Sequence, residues 1–390
     1  MASDFFKKKA GDFLDAAKDA AKKAEAVAGE VVGAVGDKIG DVVDELRRDK
    51  EIIAFPTYGF RKPGDGGAWL MPLRVWVNKA RRLPVSDEVV GVFASDMGDL
   101  EGDDIARLRA RLRHFIADDD SRETVRLSFD DDPEGRTHAV PEATDANGLV
   151  EHDLEISADE ARQLLAAQES NFGWLTYTAS VGDFTGKGRV RLVEPRGLSI
   201  VSDIDDTIKI SEVPAGKRIL LRNVFLRDYL EAPGMADKYR AFGDDVMFHY
   251  VSGSPWQLYK LLGDFLVGQS SFPEGAFHMK NVRKNLFSRE SWHDFKNFAS
   301  GDEATLVQKV GQITRLFENL PEREFILIGD SGEKDPEVFR EIKKTFGPRV
   351  REIIIRDVVD ERSKPQPNRV EGMTVIEAPT VVRGVTQFTD

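Results

Sequence analysis

Three short polar segments follow apolar runs and carry carboxylates and hydroxyls. The run Gly197–Ser202 gives way to Asp203-Ile204-Asp205-Asp206-Thr207. The run Val246–Val251 ends in Ser252-Gly253-Ser254-Pro255, and Phe325–Gly329 in Asp330-Ser331-Gly332-Glu333-Lys334-Asp335-Pro336. In an open α/β sheet the carboxyl ends of the strands line the ligand crevice, so these segments are expected to converge. Carboxylates brought together repel, and a bound cation or a shared proton relieves the repulsion. A set of oxygen ligands with no cysteine in the chain favours Mg²⁺. The six histidines show neither HxxxH nor HxH spacing, which argues against zinc.

The elements that must position these residues are legible in outline. From 196 to about 360, apolar runs at 197–202, 246–251, 325–329 and 352–355 alternate with helical stretches, the pattern of a doubly wound parallel α/β sheet. Residues 361–368 read as a loop, and the last twenty or so add a strand or wrap the domain. Residues 51–195 differ. Short β-rich runs at 51–58, 69–77, 122–129, 149–156, 174–181 and 189–193 are separated by Gly- and Asp-rich turns, with helices expected near 103–116 and 158–169. This is a mostly-β accessory domain, with sandwich packing as one arrangement. In residues 1–50, Phe13, Ala17, Ala20, Ala24, Val27, Val31, Val35, Ile39, Val42 and Leu46 recur in steps of three or four, marking an amphipathic helix. Phe5, Phe6 and Lys7–Lys9 suit the edge of a lipid interface. Packing on the protein itself, or self-association, would explain the same pattern.

Composition sets the outer limits. The 390 residues are 41% hydrophobic and 32% charged, as expected for a chain that buries a core. No apolar run is long enough for a transmembrane helix, and no apolar stretch at the N-terminus reads as a secretory signal. The absence of cysteine excludes disulfides and thiolate chemistry and fits a cytoplasmic setting. The net charge of −13 is concentrated in residues 96–160, with seven Arg and no Lys against twenty Asp or Glu. An acidic chain without a long basic face is a poor nucleic-acid binder.

Asp203-x-Asp205-x-Thr207 after an apolar strand, with GDSGEKD downstream, resembles the haloacid-dehalogenase superfamily. The longer stretches SDIDDTIK, YVSGSPWQLY and FILIGDSGEKDPEVF more narrowly resemble the catalytic domain of phosphatidate phosphatases of the actin-patch-associated type. The resemblance covers about residues 196–360, within a catalytic domain expected over 196–390. It implies Asp203 as nucleophile and Asp205 as general acid and base. Asp203, the Asp205 carbonyl and Asp330 would hold Mg²⁺, and Thr207 would support the loop. Ser252, with Gly253 beside it, and a lysine would bind the substrate phosphate. Lys309 is the choice for that lysine, at the start of the helix leading into FILIG, with Lys280 as runner-up. Gln308 stands where the family often has His. Asp335 is either a helix cap or an outer-shell metal ligand, Asp206 a loop hydrogen-bonder, and Ser254 a helix cap.

The function implied is Mg²⁺-dependent hydrolysis of phosphatidate to diacylglycerol and phosphate, with residues 1–50 contacting a membrane surface. The stretch between Thr207 and Ser252 is too short for a large cap domain, which leaves the crevice open to a headgroup. The alternatives are a phosphatase of the same superfamily acting on a soluble phosphomonoester and a non-enzymatic lipid-binding scaffold. The basic run Lys280, Arg283, Lys284, Arg289 reads as an anionic-headgroup site or a solvated face.

Overall fold

The structure, a computed structural model, describes residues 50–379 apart from 63–66, 80–89, 92–93, 95, 113–117, 120 and 281–302. The helix expected in residues 1–50, Arg283, Lys284, Arg289 and most of the last twenty residues lie outside that range.

The β-rich region contains β1 (Lys50–Ala54), β2 (Thr57–Arg61), β3 (Trp69–Lys79), α1 (Gly102–Leu112), β4 (Asp118–Asp119), β5 (Thr124–Phe129), β6 (His138–Ala143), β7 (Leu149–Ile156), α2 (Ala158–Ala167), β8 (Trp174–Val181) and β9 (Phe184–Leu192). The single run expected at 51–58 is two strands. Pro56 has no N–H to give a ladder and interrupts it between β1 and β2. On β3 the alternate residues Trp69, Met71, Leu73, Val75 and Val77 all point into one core. Val125, Leu127 and Phe129 of β5 and Leu175, Tyr177, Ala179 and Val181 of β8 complete that core from the other strand set. Alternation of this kind makes a two-layer β packing, while Trp76 on the other face of β3 is buried in a second core. Strand β2 joins the layers, antiparallel to β3 and parallel to β9.

The second region contains β10 (Leu198–Ser202), α3 (Lys217–Phe225), α4 (Met235–Arg240), β11 (Met247–Pro255), α5 (Tyr259–Gly263), β12 (Gly275–Lys280), α6 (Glu303–Asn319), β13 (Glu324–Asp330), α7 (Asp335–Phe346), β14 (Val350–Asp357) and β15 (Thr374–Glu377). The six strands form one parallel sheet in the order β12-β11-β10-β13-β14-β15. The chain runs outward from β10 to one edge, returns, and runs to the other, so the switch point lies between β10 and β13. Helices cover both faces. Ile200, Phe248, Tyr250 and Ile328 pack with Leu221, Val224 and Phe225 of α3 on one side. Val201, Leu327 and Ile355 pack with Ile313, Phe317 of α6 and Val338, Phe339 of α7 on the other. In this region β12 was not read from the sequence alternation; β15 lies in the last twenty or so residues, where a strand or a wrapping segment was expected.

The two regions meet through specific contacts. Trp76 of β3 stacks edge-on to Trp256 at 4.5 Å. Buried Arg191 of β9 donates to the Val246 carbonyl at 2.7 Å and the Asp244 carbonyl at 2.9 Å. Tyr58 of β2 lies edge-on to His249 of β11 at 5.1 Å.

Candidate active site

Strand register assembles the site. Ser202 pairs with Tyr250 on one side and Ile328 on the other, so the loops beyond these residues emerge side by side. Asp203 N–H donates to the Ile328 carbonyl at 2.9 Å and pins the first loop against the third. Pairing between β11 and β12 stops at Val251 and resumes only at Pro255, leaving Ser252, Gly253 and Ser254 outside the ladder. Such an irregularity re-aims side chains at a strand end.

Asp203 is 3% exposed. Its Oδ1 lies 2.7 Å from Lys309 Nζ, and its Oδ2 accepts from Thr207 Oγ1 at 3.1 Å. Burial pushes its carboxyl well above the usual range against the pull of Lys309. Lys309 also pairs with Asp335 Oδ1 at 2.7 Å and Glu333 Oε2 at 2.9 Å. Burial alone would depress this ammonium, but the three carboxylates lift it well above the ordinary value. Among the described residues, Lys309 is the lysine on Asp203; Lys280 sits at the end of β12, paired in register with Pro255.

Asp205 is buried beside a different cation. Lys209, one turn on and 1% exposed, places Nζ 2.7 Å from Asp205 Oδ1. Ser211 Oγ donates to the same oxygen at 2.6 Å and itself accepts from Lys209. Asp205 Oδ2 accepts from Ser254 Oγ at 3.1 Å and Ser252 Oγ at 3.4 Å. Burial alone would raise this carboxyl, but Lys209 and the hydroxyls outweigh it and hold it below its ordinary value. Asp205 is therefore a carboxylate here, held in a buried ion pair with Lys209. Ser254, expected to cap a helix, instead spends its hydroxyl on Asp205, and its N–H donates to Ser252 Oγ at 2.9 Å.

Asp206 shapes the covering loop. It adopts a left-handed conformation (φ 55°), which a short acid tolerates, and its carboxylate accepts the N–H groups of Ser211, Glu212 and Val213 at 2.6–2.8 Å. Asp330 accepts Gly332 N–H at 2.6 Å and Glu333 N–H at 3.1 Å on Oδ1, while its buried Oδ2 has no hydrogen-bond partner among the described residues. Asp335 opens α7 and is fully buried, but its carboxylate is not a cap. Oδ2 accepts the Asp330 N–H at 3.2 Å and Oδ1 takes Lys309. Gly329 has to be glycine, because a Cβ there would lie 2.4 Å from Asp335 Oδ2.

Glu333 was not among the residues singled out by sequence, although it lies inside GDSGEKD. Asp203, Glu333 and Asp335 present oxygens within 4.8 Å of one another, a cluster able to coordinate a divalent metal. Charge supports a cation as well. Among the described residues, Asp203, Asp205, Glu333 and Asp335 pair directly with two lysines, Lys209 and Lys309, while Arg356 and Arg369 act on Asp330 at longer range. Asp330 is pushed well up by burial and then by Asp335, Glu333 and Asp203. The orphaned Asp330 Oδ2 is the donor most directly free for such an ion.

Residues 198–357 match the family model described as the catalytic domain of phosphatidate phosphatase APP1. This segment is a distant relative of that family. Phosphatidate phosphatase APP1 of Saccharomyces cerevisiae is 33% identical over 168 residues, covering 42% of this chain and 26% of the yeast protein. An uncharacterized protein of Schizosaccharomyces pombe is 28% identical over 178 residues, covering 44% of this chain and 27% of its own. The matched part is thus about a quarter of the length of these relatives. The whole acidic cluster of the APP1-like segment lies inside the match. Among the described residues no helix is long and apolar enough to cross a membrane.

Proposed function

We propose that the chain is a Mg²⁺-dependent phosphatidate phosphatase of the haloacid-dehalogenase type, working through an aspartyl-phosphate on Asp203. The observation that carries this reading is the buried Asp203 carboxylate at the tip of the central strand, held by Lys309 and flanked by the unpartnered oxygen of Asp330. Asp203, the Asp205 carbonyl and Asp330 would hold the metal, with Glu333 and Asp335 close by. A bound Mg²⁺ supplies charge neutralisation between phosphate and nucleophile.

In the first step an Asp203 oxygen forms a bond to phosphorus, and the bond from phosphorus to the diacylglycerol oxygen breaks. Asp205, once protonated, gives its proton to that leaving oxygen. In the second step Asp205 takes a proton from water, whose oxygen attacks phosphorus. The bond to Asp203 breaks, inorganic phosphate leaves and the carboxylate is restored. Lys309, Ser252 and the Gly253 backbone bind the phosphoryl oxygens throughout. Residues 1–50 serve as a peripheral contact with the membrane that holds the substrate, residues 51–195 as an accessory domain and 196–390 as the catalytic domain. A cytoplasmic setting fits this reading.

The test is phosphate release with Mg²⁺ from phosphatidate in mixed micelles, beside soluble phosphomonoesters, with Asp203→Asn in parallel. Release from phosphatidate that vanishes in the variant supports the proposal. Release from soluble esters alone keeps the mechanism and discards the lipid. Silence on every substrate refutes the enzyme reading and favours a lipid-binding scaffold. On vesicles, removal of residues 1–50 lowers turnover of phosphatidate while leaving a soluble ester unaffected.

A further inference from the structure

Helix α6 carries two residues into the site one turn apart. Thr305 and Lys309 lie at i and i+4, on the same helix face. Lys309 reaches Asp203. Thr305 is 7% exposed, and its Oγ1 has no hydrogen-bond partner among the described residues. Its methyl lies 3.1 Å from where a Cβ on Gly253 would stand, so Thr305 packs directly on the gap left by that glycine. Gly253 is flanked by Ser252 and Ser254, whose hydroxyls touch Asp205. Thr305 therefore closes the space between the second strand-end loop and the lysine.

A buried hydroxyl left without a partner costs about 1–3 kcal/mol, and such groups are rare in folded proteins. A valine of the same shape would fill this position without that cost. An oxygen-rich anion held between Ser252 and Lys309 would supply the missing acceptor. We propose that Thr305 is a further phosphate-binding residue, its hydroxyl donating to a non-bridging oxygen of the substrate phosphoryl group from the α6 side. This rests on the phosphatase reading above and extends its phosphate site to a residue outside the three strand-end segments.

The test compares Thr305→Val with Thr305→Ser in the full-length chain with Mg²⁺. Three quantities are read: kcat/KM on a phosphomonoester, inhibition by inorganic phosphate, and thermal melting. Thr305→Val is expected to lower kcat/KM and weaken phosphate inhibition about ten- to a hundredfold, the range for a hydrogen bond to a charged group. Its melting temperature should be unchanged or higher. Thr305→Ser should stay within about threefold of wild type by the same reasoning. Equal kcat/KM and equal phosphate inhibition in wild type and Thr305→Val would overturn the proposal while leaving the phosphatase reading intact. Equal impairment in both variants would also overturn it, assigning the effect to the methyl packed on Gly253. Wild-type protein that neither turns over phosphomonoesters nor binds inorganic phosphate by calorimetry would refute the phosphatase reading and this proposal with it. If Thr305→Val does not fold, Thr305→Ala takes its place in the same comparison.

Discussion

Lys309 Nζ lies 2.7 Å from Asp203 Oδ1 and 2.7 Å from Asp335 Oδ1, so one buried ammonium ties the tip of the central strand to the first turn of α7. Removing it leaves three carboxylates without their shared counter-charge. Breaking a buried pair from one side costs about 3–5 kcal/mol. Lys309→Met is expected to lose stability on that scale in urea unfolding at pH 7, and to lose turnover as well.

Asp203→Asn should separate chemistry from stability. The amide keeps the shape, cannot form an acyl phosphate and removes a charge that burial already disfavours. Turnover is expected to fall by about a thousandfold or more, as for loss of a nucleophile. The melting temperature should not drop, because Lys309 keeps Asp335 and Glu333. A cooperative melt well below wild type would contradict this account of the site.

Lys209 holds Asp205 ionised, and the pH dependence of that pair has a definite sign. The folded Asp205 carboxyl lies below its unfolded value of about 3.9. Its contribution is present above that value and is lost as pH falls through the folded pKa. The stability gap between wild type and Lys209→Met is therefore expected to be large at pH 7 and to narrow below about pH 4. Urea titrations of both proteins at the two pH values measure it.

Buried His249 pairs with half-buried His278, Nδ1 to Nε2 at 3.3 Å, where β2 crosses the parallel sheet. Burial comes first in depressing both rings; His278 is pushed down to about 3, with Arg74 and Arg315 adding to it, while His278, Arg323 and Arg191 add to it for His249. The unfolded chain binds protons at these sites from about pH 6.5 downward and the folded chain does not. Stability is complete above that pH and falls on acidification, by about 1.4 kcal/mol per pH unit for each histidine that stays neutral. Melting curves from pH 7 to 5 should show the slope, and the double variant His249→Gln, His278→Gln should flatten it.

Metal binding is expected to stabilise the fold by mass action, by about 1.4 kcal/mol at a free concentration tenfold above Kd. Melting with and without Mg²⁺ measures this, and the shift should shrink in Asp330→Asn. A shift of equal size in that variant would remove Asp330 from the metal set.

The alternation of apolar runs and helical stretches from 197 to 355 was enough to read a parallel α/β sheet, because strands buried on both faces must be continuously apolar. It also fixed which loops leave the carboxyl ends. Chain-local pattern could not show β12, whose GAFHMK sequence is too mixed to stand out, and left β15 as one of two arrangements for the last residues.

The sequence by itself determined the residue types and their place at strand ends, since those follow from local pattern and order along the chain. Only the tertiary structure decided the pairings. Lys309 meets Asp203 from 106 residues away, His278 meets His249 across adjacent strands, and Thr305 faces Gly253 with its hydroxyl unpartnered among the described residues. The one local signal for Lys209 was a lysine between two isoleucines, four residues beyond Asp205. Burial makes the rest: a charge or hydroxyl cut off from water must be answered by whatever the fold brings beside it, and sequence spacing carries no record of that neighbour.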